Sequence, residues 1–281
     1  MRIIALCVLR NEEWILGASL RAAMRWCDGA AIFFDRCTDY TVEIVKEIAK
    51  SSDKDFITSE NVDGEHWDEM DHRQKNLEDA RSLGATHCSI TDADEILTHN
   101  NLGNVRNWFG ALKDGEVLDV PMIAPWKSLD WYSPHTRGII TLGFKDAPGL
   151  GFAPRGEEKY HHHNRPPHCG IRTPVVDAAG GVMHLQFAAW NRFIWKHRHY
   201  MMSELVRWSY PASEITEKYH WALKPPHGND LLKIPESWWG DYPKSKINLN
   251  APVWYERECK RMVREYGAER FKDLDLFGWR P

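Results

Sequence analysis

Two acidic residues at alternate positions form the clearest chemical signal in the sequence. Asp92 and Asp94 lie in the segment ITDADEIL, directly after a run at residues 86–91 whose composition suits a β-strand. At the end of a strand both carboxylates can turn toward the same cavity. Carboxylate oxygens are the ligands that Mg²⁺ or Mn²⁺ prefers when phosphate supplies the rest. The pair therefore predicts a divalent-cation site, although the same spacing is also common in solvated turns.

The elements that would position this pair alternate between strands and helices over about the first hundred residues. Apolar runs at residues 3–9, 30–34, 56–58 and 86–91 predict four strands, and helical spacing between them predicts helices, one of them over residues 70–83. This alternation implies right-handed crossovers, a mainly parallel sheet and the α/β fold class. Ligands bind beyond the carboxyl ends of such strands, so we expect Asn11, Glu12, Asp35 and the acidic pair at one edge.

The second half of the chain gives weaker local signals. Glycine and proline interrupt residues 121–174, which favours loops and short strands, and helical patterns return at residues 190–208 and 253–266. Tryptophan is abundant here and suits the faces of sugar rings, although any single tryptophan is more often core material. Five are candidate sugar-binding platforms or lid residues: Trp126, Trp131, Trp238, Trp239 and Trp254.

Composition excludes several classes of protein. The 281 residues are 43% hydrophobic and 27% charged, with a formal net charge of -4, which predicts a substantial core and no general polyanion-binding surface. Six scattered cysteines favour free thiols. No apolar run reaches the ~18 residues of a membrane span, so we expect a cytoplasmic protein with at most peripheral membrane association. Motifs of P-loop hydrolases, α/β-hydrolases, dinucleotide-dependent oxidoreductases and HExxH metallopeptidases are missing.

Three groups of motifs follow one another along residues 1–100. They are RNEE at residues 10–13, DRCTDYT at residues 35–41 and HRQKNLEDARSLGATHCSITDAD at residues 72–94. Together they resemble the K/R-N-E-E, D-x-x-S/C-T-D-x-T and D-x-D motifs of family 2-type glycosyltransferases with the GT-A fold. The resemblance covers residues 1–100 well and the remainder loosely. It implies a mainly parallel central sheet flanked by helices, with a C-terminal helical and loop extension.

The resemblance implies a nucleotide-binding role for several matching positions. The backbone near Leu9 and the side chain of Asp35 would hold the base and ribose of a nucleotide-diphosphate sugar. Asn11 and Glu12 would belong to the same pocket, and Arg73 would approach the base or the diphosphate. Each has a structural alternative, since Asn11 and Glu12 could merely start a helix and Arg73 could be an ordinary surface residue.

The resemblance also implies a metal-centred reaction. Asp94 would ligate Mn²⁺ or Mg²⁺ and so act in catalysis, and Asp92 would bind the ribose, the metal or a metal-bound water. His184, in the segment GGVMHLQFAAWNRFIWKHRHY, is similar to a late family histidine and is the predicted further ligand, with a structural role as its alternative. Further along this segment, three residues are candidates to face the diphosphate or to shape the site: Lys196, Arg198 and Tyr200.

An inverting enzyme would also need a carboxylate that deprotonates the acceptor hydroxyl. The region where the family places this base contains four acids: Asp146, Glu157, Glu158 and Asp177. Of these we select Glu157 as the predicted base. A retaining mechanism would remove the need for it.

These inferences predict a metal-dependent, inverting glycosyltransferase. It would move a sugar from a nucleotide donor, with UDP-sugar as first choice, to a hydroxyl of a glycan, a lipid-linked saccharide or another acceptor. Residues 1–210 would form the catalytic domain, divided into a nucleotide-sugar half at 1–100 and an acceptor half at 101–210, and residues 211–281 would form a tryptophan-rich extension packed on it. Two alternatives stay open: a DNA glycosyltransferase of phage type that acts on hydroxymethylated pyrimidines, and a non-catalytic carbohydrate- or nucleotide-binding module.

Overall fold

The computed structural model describes residues 1–63, 67–152, 165–220 and 230–281, with the backbone alone at residues 135–137. Within these ranges the strands are β1 (Ile3–Leu9), β2 (Gly29–Asp35), β3 (Asp55–Asn61), β4 (His87–Ile90), β5 (Glu95–Leu97), β6 (Glu116–Pro125), β7 (Trp131–Lys145), β8 (Ile171–Arg172), β9 (Val182–His184) and β10 (Leu232–Lys233). The helices are α1 (Leu16–Ala23), α2 (Thr41–Lys50), α3 (Glu69–Ser82), α4 (Leu102–Gly110), α5 (Trp190–Trp208), α6 (Ala212–His220), α7 (Glu236–Trp239) and α8 (Trp254–Tyr266).

The first four strands form the parallel part of a single sheet. Their spatial order is β3-β2-β1-β4, and β1 pairs in parallel with both β2 and β4. β1 and β2 are apolar runs that are buried along nearly their whole length, as expected for strands covered by helices on both faces. A helix follows each of β1, β2 and β3 and brings the chain back to the end of the sheet at which the strands begin. The carboxyl ends of these parallel strands therefore lie together.

Alternate residues of β1 pack into different layers, because successive side chains of a strand point to opposite faces. Ile3 belongs to a core that includes Leu20 of α1 and Val45 of α2. Its neighbour Ile4 belongs to a second core that includes Leu77 of α3. These two layers confirm the expected α/β class, with a mainly parallel sheet flanked by helices.

Beyond β4 the sheet continues in the order β4-β7-β6-β9-β5. β7 spans 15 residues and pairs antiparallel with β4 on one side and β6 on the other. The expectation of loops and short strands was wrong for much of residues 121–145. Pro121 and Pro125 lie within β6, whose register with β7 shifts between Leu118 and Asp119 and between Met122 and Ala124.

The pairing of β5 with β9 holds the turn that follows β4. Glu95 lies opposite His184 in this antiparallel pair. Next to it, the N–H of Leu185 donates a hydrogen bond of 2.7 Å to the carbonyl oxygen of Asp94. The acidic segment and the late histidine, far apart in sequence, are therefore neighbours through backbone structure alone.

The C-terminal helices pack on α5 through a separate apolar cluster. Trp195 and Met202 of α5, Tyr219 of α6 and Cys259 of α8 belong to it. The described residues of 211–281 thus add helices that pack on α5, while the C-terminal extension and its boundary at residue 210 stay predictions. None of the described helices is both long and apolar enough to cross a lipid bilayer.

The close approach of β7 to β4 depends on a glycine. A Cβ at Gly143 would lie 2.2 Å from the carbonyl oxygen of Cys88 and 2.7 Å from the ring of Phe109. We expect Gly143→Ala to lower the free energy of unfolding by about 1–3 kcal/mol, the usual cost of overpacking. Gly103, within α4, has no atom within 4 Å of an added Cβ, so Gly103→Ala should raise it by about 0.5–1 kcal/mol. Denaturant unfolding measures the free energy of unfolding of both variants. Equal changes in the two variants would contradict the close packing at Gly143.

Candidate functional site

A cavity of about 300 Å³ lies beyond the carboxyl ends of β1 and β4. Its walls come from these strand ends, the start of α3, the end of β9, one face of α5 and the start of α8. Seven of the predicted site residues line it: Glu12, Arg73, Asp92, Asp94, His184, Lys196 and Tyr200. Residues from distant parts of the chain therefore meet at the edge where a parallel sheet presents its ligand site.

Asp94 contacts an imidazole and an ammonium group within this cavity. Its Oδ1 lies 3.5 Å from Nε2 of His184, and its Oδ2 lies 3.7 Å from Nζ of Lys196. Burial opposes ionisation of Asp94, but the charges of Lys196 and His184 outweigh it and hold the pKa of the carboxyl below its ordinary value. Asp94 is therefore a carboxylate at neutral pH, the form that binds cations.

Asp92 is held between two guanidinium groups. Arg73 donates to its Oδ1 at 3.0 Å, and Arg165 donates to its Oδ2 at 2.6 Å. Burial opposes its ionisation, but Arg165 and Arg73 lower the pKa of Asp92 below its usual value. Both oxygens of this side chain thus have cationic partners in the protein itself.

Arg165 fastens the acidic turn to the sheet. Besides Asp92, it donates to the carboxylate of Glu95 and, at 2.8 Å each, to the carbonyl oxygens of Ile90 and Thr141. It thereby joins the end of β4, the turn and β7. Nothing in the sequence pointed to Arg165, because it lies in a segment rich in proline and histidine without any recognisable pattern.

The carboxylate of Glu12 is held in place by two donors, Trp14 and Arg192. Its Oε2 accepts a hydrogen bond of 2.7 Å from Nε1 of Trp14 and lies 2.9 Å from Nη2 of Arg192. Burial raises the pKa of Glu12, although Arg192 acts in the opposite direction. Arg192 also donates to the carbonyl oxygen of Asn11 at 2.9 Å, so it ties α5 to the RNEE segment.

Residues spaced by four along α5 face the site, since such residues share one side of a helix. Arg192 reaches Glu12, while Lys196 and Tyr200 line the cavity. Arg198 was expected to share this face, but it donates instead to the carbonyl oxygens of Leu276 and Phe277. Arg198 does not line the cavity, because a residue two positions from Lys196 points to another side of the helix.

Three predicted nucleotide-binding residues support the cavity without lining it. Leu9 is fully buried at the end of β1. Asn11 has a positive φ of 56°, and its side-chain oxygen accepts a 2.7 Å hydrogen bond from the N–H of Thr38. Asp35 is fully buried and pairs with Arg36, and it lies 3.4 Å from Arg10, which does line the cavity. A direct contact of these residues with a nucleotide stays a prediction.

The predicted catalytic base, Glu157, lies outside the described residues, as does Glu158. Asp146 makes a two-bond ion pair with Arg81 and does not line the cavity. Asp177 is exposed and is likewise not part of the cavity lining. Among the described residues, the carboxylates that line it are Glu12, Glu69, Asp92 and Asp94.

Aromatic side chains from the start of α8 line one side of the cavity. Trp254 and Tyr255, at the start of α8, line it and stack on each other with ring centroids 4.0 Å apart. The guanidinium of Arg10 lies over the ring of Trp254, 4.6 Å from its centroid. Of the five tryptophans proposed from sequence as platforms, Trp254 lines this cavity, whereas Trp126 and Trp238 belong to apolar clusters elsewhere.

Asp94 and His184 fit part of a divalent-cation site. Among the described residues, no cluster of three or more His, Cys, Asp or Glu side chains could hold a metal ion by itself. Mg²⁺ is commonly bound through one or two carboxylates plus substrate phosphates and water, so two protein ligands suit a site that the substrate completes. Asp92 is adjacent, but both its oxygens pair with arginine, and its role as a ligand stays a prediction.

Comparison with known proteins gives distant structural similarities. No protein-family model matches the chain, and no curated protein matches it. The crystal structure of S. aureus TarS is 10% identical with a TM-score of 0.47, covering 98% of this chain and 49% of that one. S. aureus TarS 1–349 is 11% identical with a TM-score of 0.45, covering 99% and 89%. The same fragment in complex with UDP is 14% identical with a TM-score of 0.34, covering 46% and 36%.

This chain therefore spans about half or less of two of these structures and most of the third. At such identities and TM-scores the likeness carries no argument about function. The interpretation of the site rests on its own residues.

Proposed function

We propose that the protein is a metal-dependent glycosyltransferase that binds a nucleotide-diphosphate sugar, with UDP-sugar as the first choice, in the cavity between β4 and α5. The observation that carries this proposal is the contact of Asp94 with both His184 and Lys196 at the carboxyl edge of the sheet. An acid and an imidazole suit a divalent cation, and an ammonium group suits a diphosphate. The cavity volume of about 300 Å³ matches the lower end of small-molecule sites.

Asp94 and His184 are the residues that would hold Mn²⁺ or Mg²⁺. When bound, the cation supplies Lewis-acid stabilisation of the charge that develops on a departing nucleoside diphosphate. Asp94 suits this role because its neighbours keep it ionised. His184 suits it because its Nε2 already faces the carboxylate, and it binds a cation when that nitrogen is unprotonated.

Arginine and glutamate side chains would orient the donor. Arg73 lies between Glu69 and Asp92 on the cavity wall, where its planar guanidinium is suited to a phosphate group. Glu12 is fixed by Trp14 and Arg192, so its carboxylate can accept hydrogen bonds from sugar hydroxyls in a defined position. The remaining predicted residues, Leu9, Asn11 and Asp35, would support these groups without lining the cavity.

The acceptor would approach from the side formed by residues 101–210 and by α8 of the extension. Trp254 and Tyr255 offer aromatic faces of the kind that pack against sugar rings. We assign the acceptor hydroxyl to a glycan or a lipid-linked saccharide, and we keep Glu157 as the proposed base of an inverting reaction. Residues 1–210 would thus form the catalytic domain, completed by the extension.

A panel of nucleotide sugars tests this proposal. UDP-, GDP- and dTDP-sugars are added with Mn²⁺, thermal unfolding is recorded, and release of nucleoside diphosphate is then assayed for each ligand that binds. A ligand at 100 times its dissociation constant should stabilise the fold by about 2.7 kcal/mol, and chelation of Mn²⁺ should remove most of the effect. Binding without release under any condition would favour a non-catalytic module, and no stabilisation by any sugar nucleotide would overturn the proposal.

A further inference from the structure

The cations around the acidic turn are held to very different degrees. Arg165 is fixed by two carboxylates and two backbone carbonyl groups. Arg73 is fixed by hydrogen bonds to Glu69 and Asp92. Both guanidinium groups are therefore built into the wall of the cavity, with several bonds that would have to break before either could move.

Lys196 differs from both arginines. Its Nζ lies 3.7 Å from Oδ2 of Asp94, beyond normal hydrogen-bond distance, and 5.9 Å from the ring centroid of Tyr200. Its side chain lines the cavity from the middle of α5, where the backbone is fixed by the helix. An ammonium group on a flexible four-carbon stem can therefore change partners without any movement of the backbone.

The position of Lys196 creates a competition for Asp94. The same carboxylate faces His184 through its other oxygen, at 3.5 Å. A divalent cation between Asp94 and His184 would lie close to the ammonium group, and two positive charges at that distance repel each other strongly in a buried site. A diphosphate in the cavity would relieve this repulsion, because it offers the ammonium group new oxygen partners.

We propose that Lys196 is an exchangeable counterion, which neutralises Asp94 in the free protein and moves to the diphosphate of the donor when a divalent cation occupies the site. This inference rests on the proposed function and assigns a role within the same cavity. Lys196 makes binding of the metal depend on binding of the nucleotide. Free protein holds Mn²⁺ weakly, and the two ligands together bind with positive cooperativity.

Removal of the lysine charge therefore has opposite effects on the two ligands. In Lys196→Met, Asp94 loses its counterion, so Mn²⁺ alone binds more tightly, by about 5-fold to 150-fold, the usual range of a coupling between two sites. UDP without metal binds more weakly by a similar factor, because a cation that would pair with the diphosphate is gone. A residue that only stabilises the fold would not raise the affinity for either ligand.

The experiment is a pair of binding titrations on the full chain. Mn²⁺ binding without nucleotide is followed by electron paramagnetic resonance, and UDP binding without metal is followed by calorimetry. Wild type is compared with Lys196→Met, with Lys196→Arg, which keeps the charge, and with Lys260→Met, whose exposed side chain pairs with Glu256 away from the cavity. Thermal unfolding of each variant verifies that it is folded, and Lys196→Gln replaces the methionine variant if that one is not.

We expect tighter Mn²⁺ binding in Lys196→Met, affinities near those of wild type in Lys196→Arg and in Lys260→Met, and loss of the gain in Asp94→Asn/Lys196→Met. Unchanged or weaker Mn²⁺ binding in Lys196→Met, or no Mn²⁺ binding by any variant, would overturn the proposal. The Mn²⁺ titration contains no nucleotide. A protein that binds no sugar nucleotide, yet gains Mn²⁺ affinity in Lys196→Met, would thus refute the proposed transferase activity while it supports competition between lysine and metal for Asp94.

Discussion

Asparagine in place of Asp94 lowers the rate of sugar transfer by about 100-fold to 1,000-fold, the range found when one group that stabilises developing charge is removed. The amide keeps the shape of the side chain but loses the charge that would bind a cation beside His184. Release of nucleoside diphosphate at saturating donor and Mn²⁺ measures the effect.

The matched control is Asp114→Asn, because that carboxylate is 74% exposed and pairs with Lys145 at 3.0 Å, outside the cavity lining. Its rate should equal that of wild type. An Asp94→Asn variant that is folded and retains the wild-type rate would remove Asp94 from the reaction and, with it, the proposed metal site.

Methionine in place of Arg165 lowers the free energy of unfolding by about 3–5 kcal/mol, the usual cost of removing one partner from a buried ion pair. The guanidinium is 17% exposed and holds two carboxylates, one of which, Glu95, is only 4% exposed. Without it, Glu95 and Asp92 face each other with one cation fewer, and two backbone carbonyl groups lose a donor. Urea unfolding, followed by fluorescence, measures the change.

Arg261→Met is the control for this substitution. Arg261 is 50% exposed and pairs with Glu258 and Glu265 on the outer face of α8. Exposed pairs of this kind contribute about 0–1 kcal/mol, so the variant should unfold almost as wild type does. If both variants lost the same small amount of stability, Arg165 would not fasten the acidic turn as described.

The N-terminal half of the fold could be predicted because its signals are local. The apolar run Ile3–Leu9 is long enough for a buried strand, and Asp92 follows a similar run at the end of β4. In a parallel sheet the carboxyl ends of these strands lie together, so no further information is needed to predict that their residues meet. This is why Glu12, Asp92 and Asp94, predicted from residues 1–100 alone, line one cavity.

The structure of the second half of the chain could not be predicted, because it depends on contacts between residues that are distant in the sequence. β7 contains a glycine at position 143 that weakens the strand signal, yet this glycine lets β4 and β7 approach closely. His184 reaches Asp94 through the β5–β9 pairing. Neither contact has a signature in the local sequence.

Two arginines at the site were missed for the same reason. Arg165 binds carboxylates some seventy positions away in the sequence, and Arg192 of α5 binds Glu12 near the end of β1. An arginine in a loop or a helix is most often a surface residue, so its type predicts little. Only the spacing along the helix could have indicated Arg192. It precedes Lys196 by four residues and so lies on the same face of the helix as that candidate.

The central claim is that the cavity beside Asp94 binds a divalent cation together with the diphosphate of a nucleotide sugar. A crystal grown with UDP and Mn²⁺, measured near the manganese absorption edge, tests it most directly. We predict an anomalous peak in contact with Asp94 and His184, with the diphosphate beside it and Lys196 turned toward a phosphate oxygen. Manganese and UDP bound elsewhere, or a cavity without either at saturating concentrations, would contradict it.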